Sequence, residues 1–115
     1  MRKHLVQNAA FEVATQVRAV EDSIDAALAE IAELQARMMR ANSVAHAGYG
    51  TIHPALEQLA SAVTGLVRAR GSVVECHVAL ADAKQKVPGL REVAFGEGSE
   101  CPETKKAFTD LRVVA

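Results

Sequence analysis

Residues 6–45 read VQNAAFEVATQVRAVEDSIDAALAEIAELQARMMRANSVA, and their rhythm decides the fold. Apolar or small side chains recur at Val6, Ala10, Val13, Val17, Val20, Ile24, Ala27, Ile31, Leu34, Met38, Ala41 and Ala45, in alternating steps of four and three. An average repeat of about 3.5 residues is what one helix needs to lie along another with a left-handed supercoil. A helix over the whole segment is ~60 Å long, at about 1.5 Å per residue. Phe11, Ala14, Leu28 and Ala32 flank the stripe. They widen it beyond a two-stranded seam, which suits a bundle of three or more helices.

Working outward, the first helix is expected over 3–46 and a turn over 47–53. Asn42 and Ser43 weaken the helix, and Gly48-Tyr49-Gly50 is expected to end it, because two glycines in three residues mark a turn. Thr51 or His53 is the expected cap of the second helix, with Pro54 in its first turn, where the missing N–H costs nothing. A connection this short makes the two helices antiparallel.

The second helix is expected over 54–87. Its bulky stripe is Leu56, Leu59, Val63, Leu66, Val73 and Leu80, and the same register places Arg70, His77 and Lys84 on that stripe. One residue earlier runs a stripe of small residues: Ala62, Gly65, Ala69, Ser72, Cys76, Ala79 and Ala83. One residue later run Ala60, Val67, Gly71, Val74 and Ala81, with Val78 beside them. Successive residues sit about 100° apart, so these stripes cover most of the helix circumference. A helix that is apolar or small on most sides calls for neighbours on most sides, more than one partner helix supplies. Gly65 and Gly71 each cost about 1 kcal/mol relative to Ala inside a helix, an expense explained if another backbone passes close to them. Val87-Pro88-Gly89 stops the helix. Residues 88–115 then read as an irregular arm with a short helix over 102–111, whose Phe95, Phe108 and terminal valines suit docking on helices.

With the turn near residue 49, the antiparallel register sets Arg70 beside Glu30 and Glu33, and His77 beside Glu21 and Asp22. Polar residues at core heptad positions fix alignment and partner choice, so Arg70, Glu30, Glu33 and His77 are the expected register-setting group. The packing and oligomer-interface residues are expected to be Val17, Val20, Ile24, Ile31, Leu34, Leu59, Val63, Leu66, Val73 and Leu80.

Composition narrows the function. The chain has 115 residues, half of them hydrophobic but only 3% aromatic, with one Tyr and no Trp. That length fits one domain. Ala and Val bury little area each, and hydrophobic stabilisation follows roughly 25 cal/mol per Å², so a compact monomer would have a thin core. A net charge of −1 argues against a nucleic-acid partner. No window approaches ~18 uncharged apolar residues, so no membrane span is expected, and the basic start Arg2-Lys3-His4 does not open a signal peptide. The expected location is cytoplasmic by default, with signal-less export or incorporation into a particle left open.

Chemistry finds little to work with. Glu-x-x-His pairs, as in carboxylate-bridged metal bundles, are absent. His46 and His53 flank the turn, but two histidines fall short of the three or four ligands a stable zinc site needs. Cys76 belongs to the small stripe and reads as a packing residue. A disulfide to Cys101 requires the arm to fold back. No phosphate loop, nucleophile elbow, HExxH or dinucleotide fingerprint occurs. No catalytic residue, metal or cofactor is expected.

In length, and in the aromatic and glycine at its bend (Tyr49-Gly50 after Gly48), the chain resembles the small secreted helical hairpins of the WXG100 type. That resemblance implies an exported hairpin. The Trp of the turn motif is missing here, and so is the Tyr-x-x-x-Asp/Glu signal after the second helix. The main expectation is therefore an all-α, coiled-coil-like antiparallel helical hairpin that assembles with itself and other protein subunits, as a non-enzymatic part of a larger structure such as a phage particle or a secretion apparatus. The alternatives are a four-helix-bundle binding module for a small ligand or metal, and the exported hairpin.

Overall fold

A computed structural model describes residues 2–90. Among them are two helices and no strand: α1, Arg2–Val44, and α2, His53–Gln85. The arm expected over 88–115 lies, from residue 91 on, outside the described residues, and with it the 102–111 helix, Phe95, Phe108 and Cys101.

Each helix starts one residue before and ends two residues before its expected bounds, for reasons visible in its hydrogen bonds. The end of α1 is set by His46 and not by the glycine pair. His46 takes a left-handed φ of 53°. Its N–H donates to the Ser43 carbonyl at 3.1 Å, and the Ala47 N–H donates back to Asn42 at 3.2 Å. This paired closure is the Schellman motif, normally built on glycine. The loop then closes through the Thr51 N–H on the Gly48 carbonyl at 3.0 Å.

α2 begins with the Leu56 N–H donating to the Ile52 carbonyl at 3.0 Å. Ile52 therefore occupies the cap position expected for Thr51 or His53, and its side chain has no oxygen to offer the first N–H groups. His53 instead pairs with Glu57 one turn on, Nε2 to Oε1 at 3.1 Å. Thr15, Ser23 and Thr64 turn their hydroxyls back onto the carbonyls four residues earlier, at 2.9, 2.8 and 3.0 Å, which lets them sit inside helices without stranding a donor.

The chain divides into two compact units. The first contains, of the described residues, 2–18 and 80–90. Here α2 unwinds through tighter turns, with the Lys86 and Val87 N–H groups donating to Ala83 and Lys84. Gly89 follows at φ 89°, a conformation only glycine takes cheaply. A side chain there would also come within 3.6 Å of Lys3 Cγ. The Gln7 amide donates to the Gly89 carbonyl at 3.2 Å, and Leu90 is buried. The turn after α2 is thus fastened to the start of α1.

The second unit, residues 19–79, is the hairpin proper. On α1, Glu21, Ile24, Leu28, Ile31, Met38 and Asn42 are half-buried. On α2 and at its cap the half-buried or buried residues are Ile52, Leu56, Leu59, Val63, Leu66, Val73 and His77. Apart from one step of seven in each, Ile31 to Met38 and Leu66 to Val73, both sets step by three and four, so each follows a heptad seam. Arg70 on α2 reaches Asp25 on α1, and His77, two turns later, reaches Glu21, one turn earlier; the helices therefore run antiparallel.

Candidate functional site

The seam of residues 19–79 carries a polar layer. His77 is the one buried polar residue among those described, with its side chain 11% exposed. Its Nδ1 lies 3.3 Å from Glu21 Oε1, and Glu21 is itself half-buried. About two turns along α2, the Arg70 Nε donates to Asp25 Oδ1 at 2.8 Å, both side chains being more than half exposed. The hydrogen bond to Asp25, then its charge, raise the guanidinium's already high pKa, with Glu21 adding to the effect. His77 is sheltered and Arg70 is wet, so the histidine pair is the costlier of the two to break.

The expected partners are met in part. His77 lies beside Glu21, as the register implied. Arg70 does not lie beside Glu30 or Glu33; it meets Asp25, more than a helical turn nearer the start of α1. Glu33 instead holds two bases of its own helix, Arg37 Nε at 3.1 Å and Arg40 Nη2 at 3.5 Å, and Glu30 is exposed.

The ten packing residues divide into two groups. Val17, Ile24, Ile31, Leu59, Val63, Leu66 and Val73 are half-buried. Val20, Leu34 and Leu80 are exposed, at 39%, 49% and 38%. The exposed members on α1 have company: Val6 and Val13 repeat the same position at seven-residue intervals and are also exposed. The inner seam of α1 thus runs one step to the side of the expected stripe. It keeps Ile24, Ala27, Ile31 and Met38 but takes Glu21, Leu28 and Asn42 in place of Val20, Leu34 and Ala41.

Gly65 and Gly71 have nothing within 4 Å of where a Cβ would stand, so among the described residues no backbone outside their own helix passes close to either. Cys76 is a free, exposed thiol. Val67, Val74 and Val78 are about half exposed, and Tyr49, at the bend, is 94% exposed. Among the described residues no three of His, Cys, Asp and Glu gather as metal ligands, and no helix is long and apolar enough to cross a membrane. No protein-family model, no curated protein and no solved structure matches this chain.

Proposed function

We propose that this chain is a non-enzymatic structural or interaction protein, a helical-hairpin subunit that assembles with copies of itself and with other proteins into a larger helical bundle. Membership of a phage particle or of a secretion apparatus fits such a subunit. One observation carries the reading. Among the described residues, Leu90 is the only buried hydrophobic side chain, while thirteen large hydrophobic ones are exposed. A two-helix unit leaves each helix with one covered face, and apolar side chains set at heptad intervals outside that face are the pattern of a bundle with further members. Exposed apolar surface on this scale marks contact with another macromolecule.

The test is absolute mass in solution, by light scattering on a sizing column, with reductant present so that Cys76 does not cross-link chains. The proposal expects a mass of two or more chains of 12.2 kDa. A single-chain mass at every concentration, together with no co-purifying protein, contradicts it.

A further inference from the structure

We infer that residues 91–103 of this same chain cover an uncharged patch at the open end of the hairpin, formed by Val6, Ala9 and Val13 of α1 with Leu80 and Ala83 of α2. The inference is separate from the assembly reading, because eight of the thirteen exposed large hydrophobic side chains lie within residues 19–79 and are left to that reading.

The patch lies within the first compact unit. There Gln7, Ala10 and Ala14 are half-buried on α1, and Ala81 and Lys84 are half-buried on α2. Val6, Ala9 and Val13 each stand one position before an inner residue, and so do Leu80 and Ala83; all five are exposed. When two helices run antiparallel, the edges that precede their inner faces lie on the same side of the pair. The five residues therefore share one side. Arg2 stands one turn before Val6 on that edge. The two acids of this unit, Glu12 and Asp82, stand on the outer sides of their helices, and Asp82 is held by the Lys86 Nζ at 3.4 Å. Covering the patch thus desolvates no charge, and one end of it is basic.

Three observations select the occupant. The first is where the chain goes. The Gly89 carbonyl accepts from Gln7, a Cβ at Gly89 would stand 3.6 Å from Lys3 Cγ, and Leu90 is buried. Residue 91 therefore departs within about one turn of Arg2 and Val6. The second is reach. Val6 and Val13 are ~10 Å apart along the helix at about 1.5 Å per residue, a span that about three extended residues cross. Residues 91–103, REVAFGEGSECPE, bring Val93 and Phe95 at that distance. The third is charge. Residues 2–18 and 80–90 carry five bases, Arg2, Lys3, Arg18, Lys84 and Lys86, against the two acids. Residues 91–103 carry four acids, Glu92, Glu97, Glu100 and Glu103, against Arg91. Residues 19–79 carry seven acids against four bases, the same sign as the segment. Complementary charge thus directs the segment to the unit it emerges from and away from the rest of the hairpin. The covalent tether makes the contact intramolecular, so a modest apolar area suffices to hold it.

The experiment measures disulfide formation in the full chain with Cys76→Ser and Cys101→Ser. Ala94→Cys, between Val93 and Phe95, is combined either with Val13→Cys in the patch or with Thr15→Cys. Thr15 stands one position after Ala14, on the other edge of α1, and is also exposed. The two targets are about 3 Å apart along the helix axis, so a tether without a docking site reaches both. Bridging rates are read in dilute solution in a thiol–disulfide buffer, with helix content followed by circular dichroism. Expected is an intrachain bridge that forms at least tenfold faster at Val13→Cys than at Thr15→Cys, and loss of that preference when Phe95→Asp is added. Equal rates at the two positions overturn the inference. A preference that survives Phe95→Asp also overturns it, and so does a Val13→Cys bridge formed only between chains, which would place the segment on a second copy.

Discussion

The two helices solve the same packing problem with different material. α2 sets one bulky stripe, Leu56, Leu59, Val63, Leu66 and Val73, among alanines, glycines and scattered valines, and that stripe is its inner face. α1 carries two stripes side by side, one through Val13, Val20 and Leu34 and one through Glu21, Leu28 and Asn42. In the first, Val13, Val20 and Leu34 are exposed and Ala27 is half-buried; in the second, Glu21, Leu28 and Asn42 are half-buried and Gln35 is exposed. The arrangement teaches that apolar content alone does not choose a seam when two candidates are adjacent. A polar contact does: turning α1 to bury Val20 would carry Glu21 away from His77, and a buried imidazole without a partner costs more than an exposed valine.

The sharpest way to break this comparison is to put a charge into each kind of stripe. Leu66→Asp buries a carboxylate in the inner face of α2 and is expected to cost about 3 kcal/mol or more. Leu34→Asp, at a half-exposed position, should leave the helix content of α1 intact and act on association instead. Urea denaturation of the two variants checks this; equal loss of stability would mean that α1 has no distinguishable inner and outer stripe. Next in size is His77→Ala, which removes the sheltered ring and leaves Glu21 half-buried without it. A loss of about 2 kcal/mol is expected, and His77→Ala with Glu21→Ala should lose less than the sum of the two single changes. Additive losses in that double-mutant cycle would deny the pair its coupling.

Smaller effects sharpen the account of the bend and of α2. His46→Gly relieves a left-handed φ at a Schellman position and should stabilise the protein by about 0.5–1 kcal/mol. Gly71→Ala, where a Cβ meets nothing within 4 Å among the described residues, should gain a similar amount, about 0.5–1 kcal/mol. Thermal melts of both variants read these gains, and a loss at Gly71 would show that another backbone lies against it. The smallest effect belongs to Arg70→Ala. Its ion pair with Asp25 is exposed, so the melting temperature should change little, and what change there is should disappear at high salt.

The hairpin was legible because its signals are local and redundant: the heptad spacing on both helices, Pro54 in a first turn, and Val87-Pro88-Gly89 at the second end. The inner face of α2 was legible because Leu and Val stand out from Ala and Gly. The inner face of α1 was not, since Val20 and Leu34 outrank Glu21 and Asn42 on any hydrophobic measure, and only the partner across the seam reverses the order. His77 with Glu21 was readable from the antiparallel count. Arg70 with Asp25 was not: the same count pointed to Glu30 and Glu33, and the guanidinium instead meets a carboxylate more than a turn nearer the start of α1. The two interior glycines pointed to a close backbone approach, and among the described residues none is made to either.

The central claim is that this hairpin completes its packing against another copy. The melting temperature of the wild type in reductant, measured over a hundredfold range of protein concentration, tests it most directly. If folding is coupled to association, mass action should raise the midpoint by about 3–6 °C for each tenfold increase in concentration. A midpoint that stays the same across the range would contradict the account and mark the two-helix chain as stable by itself.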